Sequence, residues 1–270
     1  MIIFGNGFIG HRIQQSFGCD QSTTHGLTVE RAMDEIGAAH ANVVINAIAS
    51  TGRSNCDECE DNKTATLEAN VLVPVILAEA CYRLGKKLVH ISSGCIYKYD
   101  YSYDLPLSES RVPDFFDLFY SRTKVYAEYA LRPYPNILTV RLRTPLDDRP
   151  HPRNLLTKLL GFSRVIDTPN SVTYLPDMLP ALEHLIGIDA KGVYNLVCAG
   201  ALYYPELLKT YELASGRKLE YVTIRPQYLG LTRTNILLST DKLSATGFAV
   251  RDIRDVLPGC VAEYLRRSNA

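Results

Sequence analysis

The sequence predicts a doubly wound α/β fold: a parallel sheet with helices on both faces, followed by a smaller, mainly helical C-terminal lobe. Three observations carry this. Short β-branched runs alternate with longer helical patterns through the first half, which is the pattern of parallel strands joined by right-handed crossovers. A glycine-rich turn sits between the opening strand and the first helical pattern. After about Leu146, prolines at 150, 152, 169, 176 and 180 predict short, broken pieces, because proline removes a donor and fixes φ.

The elements follow in order. Met1–Phe4 (MIIF) reads as an apolar strand that opens the fold, so no signal peptide is expected ahead of it. Gly5-Asn6-Gly7-Phe8-Ile9-Gly10 then supplies G-x-G-x-x-G. Its glycines allow a tight turn and close backbone approach, and the helix that follows offers donors and positive potential to a pyrophosphate. This predicts a bound dinucleotide. Val43–Ile48 is the next buried strand, running into Ala47, Ile48 and Ala49 at the cofactor end. Lys63–Leu84 has helical spacing, Leu88–Ser93 is a strand, Phe115–Leu131 a helix and Ile137–Leu142 a strand. Val193–Val197 is a late strand expected to return to the main sheet, and Pro205 suits the first turn of a further helix. The expected division is a Rossmann-type NADP-binding domain over 1–145 and a mainly substrate-binding lobe over 146–270.

Composition narrows the function. The 270 residues carry 29 basic and 29 acidic side chains, a formal charge of zero. Nucleic acid and anionic membrane surfaces select for a basic surplus, so neither is an expected partner. No apolar stretch suggests the roughly 20 residues of a membrane helix. Seven cysteines, an odd number, do not read as a disulfide framework. A reduced, cytoplasmic protein is expected. Cys56-x-x-Cys59 has metal spacing but lacks a second half-site, and the six histidines show no ligand spacing, so no metal is expected. The acidic run Asp57–Asp61 reads as a solvated helix start.

Cofactor type turns on the end of the second strand, where an acid about 20 residues past the glycine turn would hold a free ribose hydroxyl. Gln21-Ser22-Thr23-Thr24-His25-Gly26 contains no carboxylate, which favours NADP(H). Arg12 is one candidate for its extra phosphate, against the reading of an exposed helix arginine.

Tyr120-Ser121-Arg122-Thr123-Lys124 places a tyrosine and a lysine on one helical face. An adjacent ammonium favours phenolate, which would lower the tyrosine pKa toward useful acid–base chemistry. So short a motif recurs at Tyr82/Lys86, and chain order separates the two. Tyr120 follows the strand ending in Ser92-Ser93-Gly94-Cys95, and ligands bind beyond the carboxyl ends of the strands in such sheets. Ser93, Tyr120 and Lys124 can converge there; Tyr82 reads as packing or surface.

These residues carry a resemblance. The chain resembles the extended short-chain dehydrogenase/reductases that modify nucleotide sugars. Within them it is most similar to bifunctional nucleotide-rhamnose synthases (3,5-epimerase/4-reductases), with dTDP-4-dehydrorhamnose reductase and GDP-fucose synthase more distant. The likeness rests on NAIASTGRSNCDECE at 46–60, SSGCIYKYD at 92–100, FYSRTK at 119–124, VRLRTP at 140–145, PRNLLTK at 152–158 and PNSVTYLPDMLP at 169–180. The cofactor loop departs from it, being one residue shorter than the family's glycine pattern.

The resemblance implies Ser93, Tyr120 and Lys124 as a reductase triad acting on a carbon-4 ketone, and Cys95 with Lys158 as the acid–base pair that inverts carbons 3 and 5. On their own, Cys95 reads as a small buried hydrophobe and Lys158 as a solvated helix charge. The resemblance also suggests cofactor or sugar contacts from Thr51, Gly52, Arg53 and Asn55, with Asn154 and, more weakly, Asn170 and Ser171 as further candidates. One of Arg141 and Arg143 is expected to face a diphosphate. The implied function is NADPH-dependent conversion of a UDP- or dTDP-linked 4-keto-6-deoxy-glucose to the rhamnose form, possible as a homodimer. The alternatives are a 4-reductase alone, or a non-catalytic NADP-binding regulatory subunit like the relative that modulates methionine adenosyltransferase.

Overall fold

In the computed structural model, which describes residues 1–22, 26–53, 55–101, 104–225 and 234–268, strands form where the sequence is short and apolar. They are β1 (Ile2–Phe4), β2 (Asp20–Ser22), β3 (Val43–Asn46), β4 (Lys87–Ser93), β5 (Ile137–Leu142) and, much later, β9 (Gly192–Asn195). Between them run α1 (Phe8–Phe17), α2 (Val29–Ala38), α3 (Lys63–Leu67), α4 (Val73–Arg83) and α5 (Phe119–Leu131). The six strands make one sheet in the order β2-β1-β3-β4-β5-β9. Strand β1 pairs in parallel with both β2 and β3, and β3 with β4. The chain thus reverses its winding direction across β1, which puts the switch point of a Rossmann-type sheet at the carboxyl ends of β1 and β3.

Two compact units result. The first comprises Met1–Tyr97, Val112–Arg141 and Ile186–Tyr194; the second comprises Lys98–Arg111, Leu142–Leu185 and Asn195–Ala270. In the first, Leu77, Ala78 and Cys81 of α4 and Ala32 and Ile36 of α2 pack with Ile2, Phe4, Val44 and Leu88 of the sheet. Fully burying each Leu or Ile of this kind contributes about 1.5–3 kcal/mol. The second unit has α6 (Leu155–Leu159), α7 (Leu175–Gly187), α8 (Tyr204–Ser215), α9 (Asp241–Ser244) and α10 (Ile253–Ser268). Two small ladders accompany them: β6 (Pro145–Leu146) with β8 (Thr173–Tyr174), and β7 (Arg164–Ile166) with β10 (Val222–Ile224). Its core joins Leu156 and Leu159 to Leu207, Leu208, Val256, Leu257 and Val261.

Three expectations are corrected. The prolines do not break residues 175–187: Pro176 stands in the first turn of α7 and Pro180 is carried inside it, because the apolar face formed by Leu175, Met178, Leu179 and Leu182 is buried. Helix α5 starts at Phe119 rather than Phe115, since the N–H groups of Asp114 and Phe115 both donate to the Ile96 carbonyl at 3.1 Å instead. A run of membrane-span length does exist: Lys63–Arg83 is 21 residues long and apolar enough by composition. It is the crossover into β4, and its α4 part packs Leu77, Ala78 and Cys81 against the sheet.

That run is not one regular helix. Residues Glu68–Leu72 form a π-turn between α3 and α4, a device that shifts a side chain out of helical register and is frequent at functional sites. Here it aims Asn70 into the fold.

Candidate active site

The turn after β1 is shaped by its glycines. Gly5 has φ +111°, and a Cβ there would stand 2.8 Å from the Ala47 carbonyl carbon and the Ile48 nitrogen. A Cβ on Gly10 would stand 2.3 Å from the Gly5 oxygen, so α1 can start this close only with glycine. A Cβ on Gly7, the N-cap of α1, would meet nothing within 4 Å. The turn is therefore tight beneath and open above, with the N-terminus of α1, Asn6 to Ile9 included, on the open side. The residues fit a dinucleotide pyrophosphate despite the shortened loop. Asn46 braces the neighbouring strand end: its Oδ1 accepts from the Ile48 N–H at 3.1 Å, and its Nδ2 lies 3.2 Å from His90 Nδ1. Ala47, Ile48 and Ala49 thus leave β3 in a fixed direction.

At the end of β2, Thr23, Thr24 and His25 lie outside the described residues. No acid stands on the strand end itself, yet one arrives from α2. Glu35 accepts from the Ser22 hydroxyl at 2.5 Å and pairs with Arg31 Nε at 3.3 Å. Sequence reading missed both charges, because they sit on the next helix. Arg12 is buried rather than an exposed helix arginine.

Ser93 ends β4, and its Oγ accepts from the Cys95 N–H at 3.1 Å, the tight turn that holds Cys95 beside it. The same side chain acts on the Tyr120 phenol, working to lower its pKa. Tyr120 and Lys124 share the buried face of α5. Lys124 is 2% exposed, and its Nζ donates to the Ile91 carbonyl at 3.2 Å. Burial draws its pKa down to about 8, against the attraction of Glu128. Tyr120 runs opposite to expectation. Burial, reinforced by Cys56 and Cys95, pushes the phenol well above its ordinary value of 10, and Ser93 only partly offsets this. A phenol in that state is protonated at neutral pH, the form that donates a proton. His90, beneath them, is held neutral by burial and by the charge of Lys124.

Three braces fix α5, and sequence reading missed all of them. Glu60 accepts from the Phe119 N–H at 2.6 Å and from Arg122 at 3.1 Å, capping the first turn of the helix. The acidic run is therefore a 3₁₀ turn, Cys56–Glu60, whose last member serves α5. Asn70, from the π-turn, donates to the Thr123 hydroxyl at 3.0 Å and exchanges two hydrogen bonds with the Ser50 backbone. Glu128 binds Arg141 and Ser92.

The remaining candidates divide. Thr51 is half-buried, while Arg53 and Asn55 are exposed on the loop beyond β3; the Asn55 Oδ1 caps the 3₁₀ turn through the Asp57 N–H at 2.8 Å. Tyr82 packs edge-on against Tyr134 and Lys86 bonds Asn42, away from any constellation. In the second unit, Lys158 is half-buried on α6. Asn154 is corrected: it is fully buried, and its amide caps Leu156 and clamps Asp147 and Arg149, leaving nothing for a sugar. Neither Arg141 nor Arg143 is open to a diphosphate, since Arg141 pairs with Glu128 and Arg143 bonds Asn170 and the Thr234 carbonyl. Asn170 and Ser171 are likewise spent on the backbone of Ile236 and Leu238.

A glycine turn at the switch point and a serine, tyrosine and lysine at the end of β4 define a class: Rossmann-type proteins of the short-chain dehydrogenase/reductase kind. Residues 5–166 match the RmlD substrate binding domain, and the chain belongs to that family. It is 36% identical over 173 residues to the bifunctional dTDP-4-dehydrorhamnose 3,5-epimerase/dTDP-4-dehydrorhamnose reductase of Arabidopsis thaliana, a match covering 62% of this chain and 58% of that protein. The crystal structure of the L780 UDP-rhamnose synthase of Acanthamoeba polyphaga mimivirus superposes with a TM-score of 0.89 at 26% identity, covering 97% of this chain and 98% of that one. The dTDP-4-dehydrorhamnose reductase of Bacillus anthracis, solved with NADP, shares the fold at a TM-score of 0.82 and 17% identity, covering 98% of each chain.

Proposed function

We propose that the protein is an NADP(H)-dependent reductase of the carbon-4 ketone in a nucleotide-linked 4-keto-6-deoxy-glucose, and that it also epimerises carbons 3 and 5 to give the rhamnose form. The observation that carries the reading is the convergence of Ser93, Tyr120 and Lys124 at the end of β4, in the same unit as the open glycine turn. The names of the plant and mimiviral relatives support the substrate class. Seven free thiols suit a reducing, cytoplasmic setting.

Gly5 to Gly10 and Ala47 to Ala49 would hold the cofactor, which supplies a hydride when bound. Ser93 would hold the ketone oxygen and Tyr120 protonate it. Lys124 would bind the cofactor's ribose and replenish positive charge beside the phenol. Thr51, Arg53 and Asn55 would contact the sugar nucleotide. Tyr120→Phe keeps the ring and loses the proton, so reduction should fall about 10²–10⁴-fold with NADPH binding intact. Near-normal NADPH oxidation by this variant removes Tyr120 from the mechanism.

Arg31 is the group we assign to the 2′-phosphate, with Glu35 as its partner when the phosphate is absent. Wild-type protein should then prefer NADPH to NADH in kcat/KM. Arg31→Ala should cut that preference by about tenfold, one charge-assisted hydrogen bond. A wild-type preference for NADH would instead make Glu35 the acceptor of a free ribose hydroxyl.

A polarised carbon-4 ketone acidifies the protons on both neighbouring carbons, and inversion needs an acid and a base. Cys95 and Lys158 are proposed for these roles, on the strength of their sequence blocks and the bifunctional relative. In heavy water, wild-type product should carry deuterium at carbons 3 and 5. Cys95→Ala or Lys158→Ala should lose it, yet still reduce a sugar supplied already epimerised. Deuterium uptake absent in the wild type would leave a 4-reductase alone; uptake unchanged in both variants would assign the protons to other residues.

A further inference from the structure

Helix α5 carries a second buried charge one turn beyond Lys124. The Glu128 and Arg141 side chains are 8% and 4% exposed. Glu128 Oε1 accepts from the Ser92 hydroxyl at 2.6 Å and from Arg141 Nε at 3.0 Å, and Oε2 accepts from Arg141 Nη2 at 2.5 Å. Arg141 Nη1 in turn donates to the Tyr97 hydroxyl at 2.5 Å, with the guanidinium over that ring. A buried ion pair returns little net stability against an apolar replacement, because desolvation consumes its attraction. Its placement offers another reason. Ser92 lies on β4, Arg141 on β5 and Glu128 on α5, so the pair ties together the elements around Lys124.

We propose that Glu128, clamped by Arg141 and Ser92, is a positioning residue that holds Lys124 in its charged form at the foot of Tyr120. The proposal rests on the reading of Tyr120 and Lys124 as the proton-handling pair. The titratable and charged groups around Lys124 are His90 from β4, Cys95 from the following turn, Cys56 and Cys59 from the 3₁₀ turn, Tyr120 and Glu128 from its own helix, and, through its pairing with Glu128, Arg141 from β5. Of these Glu128 is the carboxylate. Burial alone drives an ammonium toward its neutral form, and the Glu128 charge opposes that. The sign follows. Without Glu128 the Lys124 proton leaves at lower pH, and the charged form is lost on the basic side first.

The test reads Lys124 directly. Protein carrying ¹³C at the lysine Cε positions is titrated by NMR without cofactor or substrate, the Lys124 signal being assigned with Lys124→Met. Wild type should titrate near 8. In Glu128→Gln the midpoint should fall by about one to three pH units, the effect of removing one opposite charge at close range. The double variant Glu128→Leu/Arg141→Met guards against simple misfolding, since an apolar pair of similar volume keeps the packing. It should regain the thermal midpoint that Glu128→Gln loses, yet still show the lowered Lys124 titration. A Lys124 midpoint unchanged in both folded variants overturns the proposal. With the 4-keto sugar and NADPH, the basic limb of the kcat profile should move in parallel. Absence of wild-type turnover would sink the reductase reading while the titration still decides the role of Glu128.

Discussion

A buried ammonium is the constraint around which the first unit is organised. Lys124 is almost wholly removed from water, and burying an isolated charge costs many kilocalories per mole unless it is compensated. The compensation comes from several elements at once: the Ile91 carbonyl on β4, the Glu128 carboxylate one turn along α5, and a neutral rather than cationic His90. Each partner has its own anchor. Glu128 is fixed by Arg141 and Ser92, and His90 by Asn46, whose other amide atom orients the exit from β3. The lysine thereby couples α5 to the strand ends that shape the glycine turn.

The position of Tyr120 follows from how α5 is held. Glu60 caps its first turn and Asn70 bonds its Thr123, whose hydroxyl also donates to the Tyr120 carbonyl at 2.8 Å. These braces come from the loop beyond β3 and from the π-turn, two irregular segments. A regular helix over 63–83 would carry Asn70 to another face. The irregularity serves rigidity here, fixing the face of α5 that carries Tyr120 and Lys124.

The fold was largely legible in the sequence because period and order encode it. The run ILTVRL is a strand with the expected ends, Ile137–Leu142, and the glycine turn declared the cofactor end. The grouping of Ser93, Tyr120 and Lys124 was legible through spacing and chain order. Their supports were not. Glu60, Asn70 and Glu128 find partners 59, 53 and 13 residues away, and no local pattern marks such pairings. Arg141 and Arg143 read as candidate anion ligands because a strand alternates its faces, yet both are consumed by internal partners. Asn154 shows the same limit, for N-caps and ligand contacts favour the same residue type. The Tyr120 pKa went the other way because spacing reports a neighbouring charge but not the burial that outweighs it.

In the proposed function this buried set reduces a sugar ketone with a hydride from a nicotinamide. The direct measurement is a single turnover with NADPH deuterated at the transferring face of nicotinamide carbon 4 and a nucleotide-linked 4-keto-6-deoxy-glucose, followed by NMR of the sugar. One deuterium is expected, bound at carbon 4 of the product. Consumption of NADPH with no deuterium at that carbon, or no consumption by folded protein that binds NADPH, would contradict the proposed function.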